Sequence, residues 1–385
     1  MYEIKKDRSF YTSLKILANI YAIPKVKGGP QLLWFKFIFF MLRLASILSF
    51  VVMPCLHLIV TLRAKTGVDV SEDLSTMVGT FGANVISISF LILYDKWSQF
   101  FIDVENCSRF GIPKDVKDLR KTLNLYSVLY ALYTVVGVGI YGVIASAETS
   151  HCKKFNEEHG LNEICGTFTP VVLPFDGNST LIRSVVFGVQ VFLAMPTLAS
   201  PAVVCFLLYE GVETLISHIT LLKQNFIGVF ETTSNAERKN RLRLCVYFHD
   251  NILSLCERLS TLGKHSSGFL CMACAIVFGC IGNLIVKSKP IAGICYLMGY
   301  IAALFLLCHG GQRILDETLS VADVLYDSGW YDGDVLIMRD ICFILARSQR
   351  PATLGALPLG VMNYPLFLMI MKTSYSYLTL LSQNT

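Results

Sequence analysis

Seven stretches of this chain each run the width of a bilayer without an Asp, Glu, Lys or Arg, and that sets the solvent before any fold is considered. They are Leu44–Leu62, Leu74–Tyr94, Thr122–Ala147, Ser184–Tyr209, Ser266–Val286, Pro290–Gln312 and Pro351–Met371, the last continuing past Lys372. A helix crossing the roughly 30 Å hydrocarbon core needs about 20 mostly apolar residues. Helix is also the form that pairs every backbone group internally where no water is present. Hydrophobic residues make up 54% of the chain and charged residues 16%, against about 25% charged in soluble domains. Such a chain cannot coat a soluble surface, and it is too apolar to be disordered. The expected fold class is an all-α membrane protein with seven transmembrane helices. The first span is expected to start near Leu32, with Lys36 and Arg43 close to the interface. Pro54, Pro196, Pro201, Pro358 and Pro365 are expected to kink their helices. Met1–Phe10 is charged and is followed by no short apolar region with a small-residue cleavage site, so the first run reads as a retained span.

Lys and Arg orient the bundle, because they accumulate on the cytoplasmic side. Most of the 33 fall in the N-terminal segment, in the 2–3 loop (Lys96 to Lys121), in the 4–5 loop (Lys223 to Lys264) and in the 6–7 loop (Arg313 to Arg350). The opposite loops hold only Arg63, Lys65, Lys153, Lys154, Arg183, Lys287 and Lys289. The N-terminus is therefore expected inside and the C-terminus outside. This is the reverse of G-protein-coupled receptors, and the Asp-Arg-Tyr that family carries after its third span is missing here. The outer loop 148–180 contains an N-glycosylation sequon at Asn178-Ser179-Thr180, usable only outside. Cys152 and Cys165 lie in the same loop; they either pair in an oxidising compartment or remain free thiols.

Several functions are excluded. A net charge of +5 with no basic stripe gives nucleic-acid binding little support. Thirteen cysteines scattered through apolar runs are not a disulfide framework. Cys271-Met272-Ala273-Cys274 has CxxC spacing but lies within a span and lacks a second pair, so small-residue helix packing explains it better than a metal. The histidines are dispersed, and no phosphate-binding loop, GxSxG or paired intramembrane carboxylates appear. No cofactor and no enzymatic activity are expected. Sparse charge at membrane depth also argues against a proton-coupled transporter or pump.

The cytoplasmic segments are patterned rather than floppy. Cys245, Phe248, Ile252, Leu255, Leu259 and Leu262 recur at spacings of 3 and 4, which predicts an amphipathic helix leading into the fifth span. Ile314, Leu315, Leu319, Ala322 and Leu325 continue the sixth span inward, and Leu336, Met338, Ile341, Phe343 and Leu345 mark a further helix. Apolar faces outside the membrane must be buried on one another, on another subunit or on the inner membrane surface. The expected organisation is a cytoplasmic segment (1–31), spans 1–4 (32–209), anchor helices (210–265), spans 5–6 (266–309), further anchor helices (310–350) and a last span (351–385).

That last span is unusual. Its second half, Met371-Lys372-Thr373-Ser374-Tyr375-Ser376-Tyr377-Leu378-Thr379, alternates polar and aromatic groups. At about 100° per residue, Met362, Met369, Thr373, Ser376 and Leu380 fall on one line. Repeated around a symmetry axis, this face would line a pore: hydroxyls solvate ions and a ring of leucines forms a dewetting gate. Alternatively, the hydroxyls bond neighbouring helices.

The C-terminal quarter resembles the insect odorant receptor family. Tyr326-Asp327-Ser328-Gly329-Trp330-Tyr331 resembles the family's Tyr…Trp-Tyr turn, Arg347-Ser348-Gln349-Arg350-Pro351 its Arg-x-Gln-basic-Pro pattern, and Ser374-Tyr375-Ser376-Tyr377-Leu378-Thr379-Leu380-Leu381 its terminal Ser-Tyr-Ser-Tyr-Phe-Thr-Leu-Leu. Leu378 departs from the usual Phe. Leu173-Pro174-Phe175-Asp176, Gln190 and His249 match weaker positions. The resemblance implies a ligand-gated, nonselective cation channel whose four subunits meet at the last helix and are held by a cytoplasmic anchor. Membrane lipids, permeating cations and an odorant receptor co-receptor are the implied partners. The compact 4–5 loop is unlike the longer one of the co-receptor, so a tuning subunit is implied, with Leu380 the gate and Met369, Thr373 and Ser376 along the conduit. A small hydrophobic odorant would bind in the outer half of the membrane between spans 2, 3, 4 and 6. Matching faces offer Val78 and Phe81, then Thr134, Gly137 and Tyr141, then Phe187 and Val191, then Tyr296 and Tyr300. Apolar, aromatic walls suit such a ligand. Ser376-Tyr377 followed by Gln383 also echoes the gustatory receptors, which leaves a homomeric gustatory-type channel as the alternative.

Overall fold

A computed structural model describes residues 11–21, 31–63, 71–147, 149–159, 163–172, 179–232, 234–287, 290–332 and 334–383. Within them the chain is almost wholly helical. A short helix α1 (Thr12–Ile20) precedes the first span, which is built of α2 (Gln31–Ile47), a π-helical turn (Leu48–Val52) and α3 (Met53–Arg63). Then come α4 (Ser71–Ile92), α5 (Tyr94–Asn106), α6 (Val116–Ala147), α7 (Thr149–His159), α8 (Thr180–Phe230), α9 (Asn235–Lys287), α10 (Pro290–Tyr326), α11 (Val335–Ser348) and α12 (Tyr364–Gln383). A two-residue hairpin, β1 (Gly355–Ala356) against β2 (Gly360–Val361), leads into α12. Six helical stretches are long and apolar enough to cross a membrane, in the α2–α3 run and in α4, α6, α8, α9 and α10. The seventh, α12, has 20 residues, about 30 Å at 1.5 Å per residue, and carries a run of hydroxyls in its second half.

Length explains the architecture. With 51 and 53 residues, α8 and α9 would each span about 75–80 Å, far more than a bilayer core, so both must project beyond it. Leu215, Ile219, Leu222, Phe226 and Val229 of α8 are buried, as are Cys245, Phe248, Ile252, Leu255, Leu259 and Leu262 of α9. The stripe predicted for the 4–5 segment is thus the inner seam of the fold. Ile314 and Leu325 of α10 and Ile337, Ile341 and Ile344 of α11 complete this core. Ion pairs pin its rim: Lys223 to Glu317 at 2.6 Å, Arg258 to Asp103 at 2.6 Å, and Arg313 to Glu213. On α11 the buried face differs from the predicted one. Of the predicted residues Ile341 is fully buried, whereas Leu336 and Phe343 are exposed.

The prolines behave differently from one another, and Pro358 and Pro365 lie outside any helix interior. Pro54 lacks the N–H that would bond back along the helix. The chain forms a π turn just before it, and the carbonyl of Phe50 accepts the Thr80 hydroxyl at 3.0 Å. Pro196 and Pro201 lie within α8, which continues through both. Pro358 follows a cis bond between the two strands of the hairpin, and Pro365 occupies the first turn of α12, where a missing donor costs nothing. The last helix therefore starts at Tyr364 rather than Pro351, and the Asn363 side chain accepts the Leu366 N–H at 2.9 Å to cap its start. Arg43 is buried against the protein. It is 7% exposed, donates to Asn84 and Ser200 at 3.3 Å each, and lies over the rings of Phe39 and Tyr21. Cation–π and hydroxyl contacts take the place of an acidic partner.

Candidate ligand site and pore-facing helix

A cavity of about 160 Å³ opens between α4, α6, α8 and α10. Small residues on α4 make the room: Thr76, Gly79, Thr80 and Ala83 recur at helical spacing and present little side chain. Facing them, α6 supplies Tyr130, Tyr133, Thr134, Gly137 and Tyr141, and α10 supplies Cys295, Tyr296, Gly299, Tyr300 and Ala303. Leu198, Pro201, Ala202 and Cys205 of α8 and Leu270 and Ala273 of α9 form the inner end, and Phe50, Phe168 and Thr169 complete the wall. No Asp, Glu, Lys or Arg lines it. The hydroxyls are largely engaged by the protein: Thr80 bonds the Thr76 carbonyl at 2.6 Å, Thr134 that of Ala131 at 2.8 Å, and Tyr141 donates to Glu72 at 3.4 Å. Tyr296 and Tyr300 meet edge to face at 5.3 Å. Both their hydroxyls lie 2.6 Å from where a Cβ on Gly79 would stand, so only glycine admits them. Such a space takes a compact, largely apolar molecule with at most a few polar atoms.

Segment 163–172 forms the outer wall. Cys165 is disulfide-bonded to Cys152 of α7, and Asn156 of α7 donates to the Glu163 carbonyl at 2.7 Å. Gln190 of α8 accepts the Phe168 N–H at 2.7 Å and donates to the Thr169 hydroxyl at 2.9 Å. These ties set the Phe168 ring 4.9 Å from that of Tyr141.

Five predicted contact residues line this cavity: Thr134, Gly137, Tyr141, Tyr296 and Tyr300. The others do not. Phe81 is 53% exposed and meets Phe269 edge to face at 6.5 Å, so with Val78 it lies on a different face of α4 from the wall. On α8 the wall begins at Leu198, deeper than Phe187 and Val191; Val191 packs instead with Phe50, Phe168 and Leu193. The sequence reading missed the small-residue stripe of α4, visible as Thr76, Gly79, Thr80 and Ala83 at intervals of 3 and 4, and the inward extension of the α6 stripe to Tyr130 and Tyr133. Phe168 left no periodic signal. Asn178 and the segment Leu173 to Asp176 lie outside the described residues.

On α12, Leu366, Ile370 and Ser374 are buried, while Tyr377 and Leu378 pack against Gly279 and Gly282 of α9. Met369, Thr373, Ser376 and Leu380 share the opposite, exposed face. Thr373 bonds the Met369 carbonyl at 2.9 Å and Ser376 that of Lys372 at 3.1 Å. Met362 departs from this line: it precedes the helix, is fully buried, and accepts a contact from the Cys271 thiol at 3.6 Å. The foot of α12 joins α10 through His309, which hydrogen-bonds Tyr364 at 2.8 Å and stacks on Phe305 and Tyr209.

A bundle of membrane-crossing helices around an uncharged aromatic cavity, with a hydroxyl-bearing helix left open on one side, defines a multi-pass membrane protein with room for a small ligand. A sequence profile of the 7tm odorant receptor family matches residues 66–375, and the chain belongs to that family. It is 25% identical to odorant receptor Or2 of Anopheles gambiae over 77% of this chain and 80% of the relative. It is 33% identical to odorant receptor 22c of Drosophila melanogaster over 40% of this chain and 39% of that relative's length. The insect olfactory receptor OR5 of Machilis hrabei, solved in complex with eugenol, superposes with a TM-score of 0.74 at 13% identity, covering 97% of this chain and 98% of that one. The family is one of receptors, in line with the reading that the chain is not an enzyme.

Proposed function

We propose that this chain is the ligand-specific subunit of an odorant-gated, nonselective cation channel. A small hydrophobic odorant occupies the cavity between α4, α6, α8 and α10. Co-receptor subunits complete a tetramer around the exposed face of α12, with Thr373 and Ser376 along the conduit and Leu380 at its gate. The inner parts of α8, α9 and α10, together with α11, serve as the cytoplasmic anchor, whose exposed Leu336 and Phe343 meet a neighbouring subunit. The N-terminus is cytoplasmic, and the receptor resides in the plasma membrane of sensory dendrites. The observation that carries this reading is the cavity itself: aromatic, free of charged side chains and about 160 Å³, which is smaller than the usual drug-sized site and suited to a volatile.

Ligand binding opens the channel only to the extent that the open arrangement binds it more tightly. The helix to carry that preference is α10, which holds Tyr296 and Tyr300 in the cavity wall and His309 at the foot of α12. The deciding experiment is whole-cell recording with and without the co-receptor, using eugenol and a panel of esters, terpenoids and aromatics. Currents that require both chains support the proposal. Currents from this chain alone would make it a homomeric, gustatory-type channel, and responses indifferent to substitutions in the cavity would remove the ligand site from it.

A further inference from the structure

The outer wall of the cavity is a loop rather than a helix, and one of its ties is unfinished. Segment 163–172 turns back on itself through the Ile164 N–H to the Val171 carbonyl at 2.9 Å and the bridge between Glu163 and Val172. At its tip it presents Phe168 and Thr169 to the cavity. Its neutral ties, to Gln190 and to α7, are made. The remaining one is ionic. His57 of α3 is 6% exposed, and its Nδ1 bonds Asp73 of α4 at 2.7 Å. Its Nε2 has no hydrogen-bond partner, and the carboxylate of Glu163 stands 3.5 Å away. That is about 0.5 Å beyond a good charge-assisted hydrogen bond. Asp73 lies one turn before Thr76, the first α4 residue of the cavity wall. The imidazole therefore joins the first span, the start of the cavity helix and the loop that closes the cavity.

We propose that segment 163–172 is the lid of the cavity and that His57 latches it through Glu163, with Asp73 holding the ring in place. Shortening the Nε2–carboxylate distance seals the lid; parting it lets the loop swing on its disulfide and opens a path from the outer aqueous face. An imidazole donates to both carboxylates only when both nitrogens carry hydrogen, so the latch is strongest as a three-charge array. His57 and Glu163 act as positioning residues: they touch the lid and not the ligand. The idea rests on reading the cavity as the ligand site only for its biological meaning, because the opening itself can be measured with no ligand present.

Two free thiols, Cys205 and Cys295, lie in the cavity wall and report its accessibility. Full-length protein in lipid nanodiscs would be treated with the positively charged, membrane-impermeant reagent 2-(trimethylammonium)ethyl methanethiosulfonate, and modification of each cysteine followed by mass spectrometry. Glu163→Gln and His57→Gln should each accelerate modification of Cys295 roughly three- to tenfold, the scale of losing one ordinary hydrogen bond. Modification of buried Cys308 and exposed Cys342 should stay unchanged. Glu163→Asp keeps the charge but withdraws it and should fall between. Unchanged Cys295 rates in the Gln variants would overturn the proposal and leave lateral entry from the lipid as the route. A parallel rise at Cys308 would overturn it too, by making the triad a strut of the whole bundle. If Cys295 responds as expected while cavity substitutions leave odorant responses untouched, the lid stands and the ligand assignment falls.

Discussion

The cavity and the outer face of α12 use hydroxyl groups differently. Around the cavity, the Thr80 hydroxyl reaches across to the Phe50 carbonyl of the first span and the Tyr141 hydroxyl to Glu72 of α4, so these groups tie one element to another. On α12, Thr373 and Ser376 bond only their own helix backbone and stay exposed beside Leu380. The first region is complete within one chain. The second is half of something, since a hydroxyl face aimed at acyl chains is a poor use of polar groups. On the function proposed above, selectivity could then vary from receptor to receptor inside a single subunit, while conduction would require neighbours.

Substitutions can break this contrast. The largest effect is expected at Gly79, where a methyl group would displace the Tyr296 and Tyr300 hydroxyls. Gly79→Ala should cost about 1–3 kcal/mol through overpacking, read as a loss of ligand potency of roughly five- to 150-fold with the conductance of the open channel unchanged. Leu380→Ala should do the reverse, raising resting current several-fold through a wetter gate while leaving ligand potency near that of the parent; unchanged basal current would remove Leu380 from the gate. Tyr300→Phe removes one hydroxyl from the cavity and should shift potency by about 0.5–1.5 kcal/mol, roughly two- to tenfold. Phe81→Ala is the smallest and sharpens the boundary. Because Phe81 points away from the cavity, potency should change by less than about 0.5 kcal/mol, and a dose–response shift as large as that of Tyr300→Phe would place the cavity on the wrong face of α4.

Much of the fold could be read from the sequence because charge exclusion and helical periodicity are local signals. The seam of α9 from Cys245 to Leu262 is one instance, and the stripe Thr134, Gly137, Tyr141 on α6 is another. The α4 wall was misread for a physical reason. Bulky residues such as Phe81 attract attention as contacts, but a cavity exists where side chains are small, and Thr76, Gly79 and Ala83 create it by what they lack. Phe168 could not be found by periodicity because a loop has none. Its position depends on Gln190, Asn156 and a disulfide, three partners that only the assembled fold brings together. The start of α12 was misplaced because Pro351 to Asn363 is apolar yet folds as a hairpin, a distinction hydropathy does not make.

The unbroken run of α10 from Tyr296 in the cavity wall to His309 beside Tyr364 has a mechanical corollary. A rigid rod does not absorb a displacement at one end; it delivers it at the other. On the function proposed above, an odorant wedged against two tyrosines need not deform the protein along the way, because a slight roll of a single shaft would already turn the collar in which the proposed conducting helix is footed.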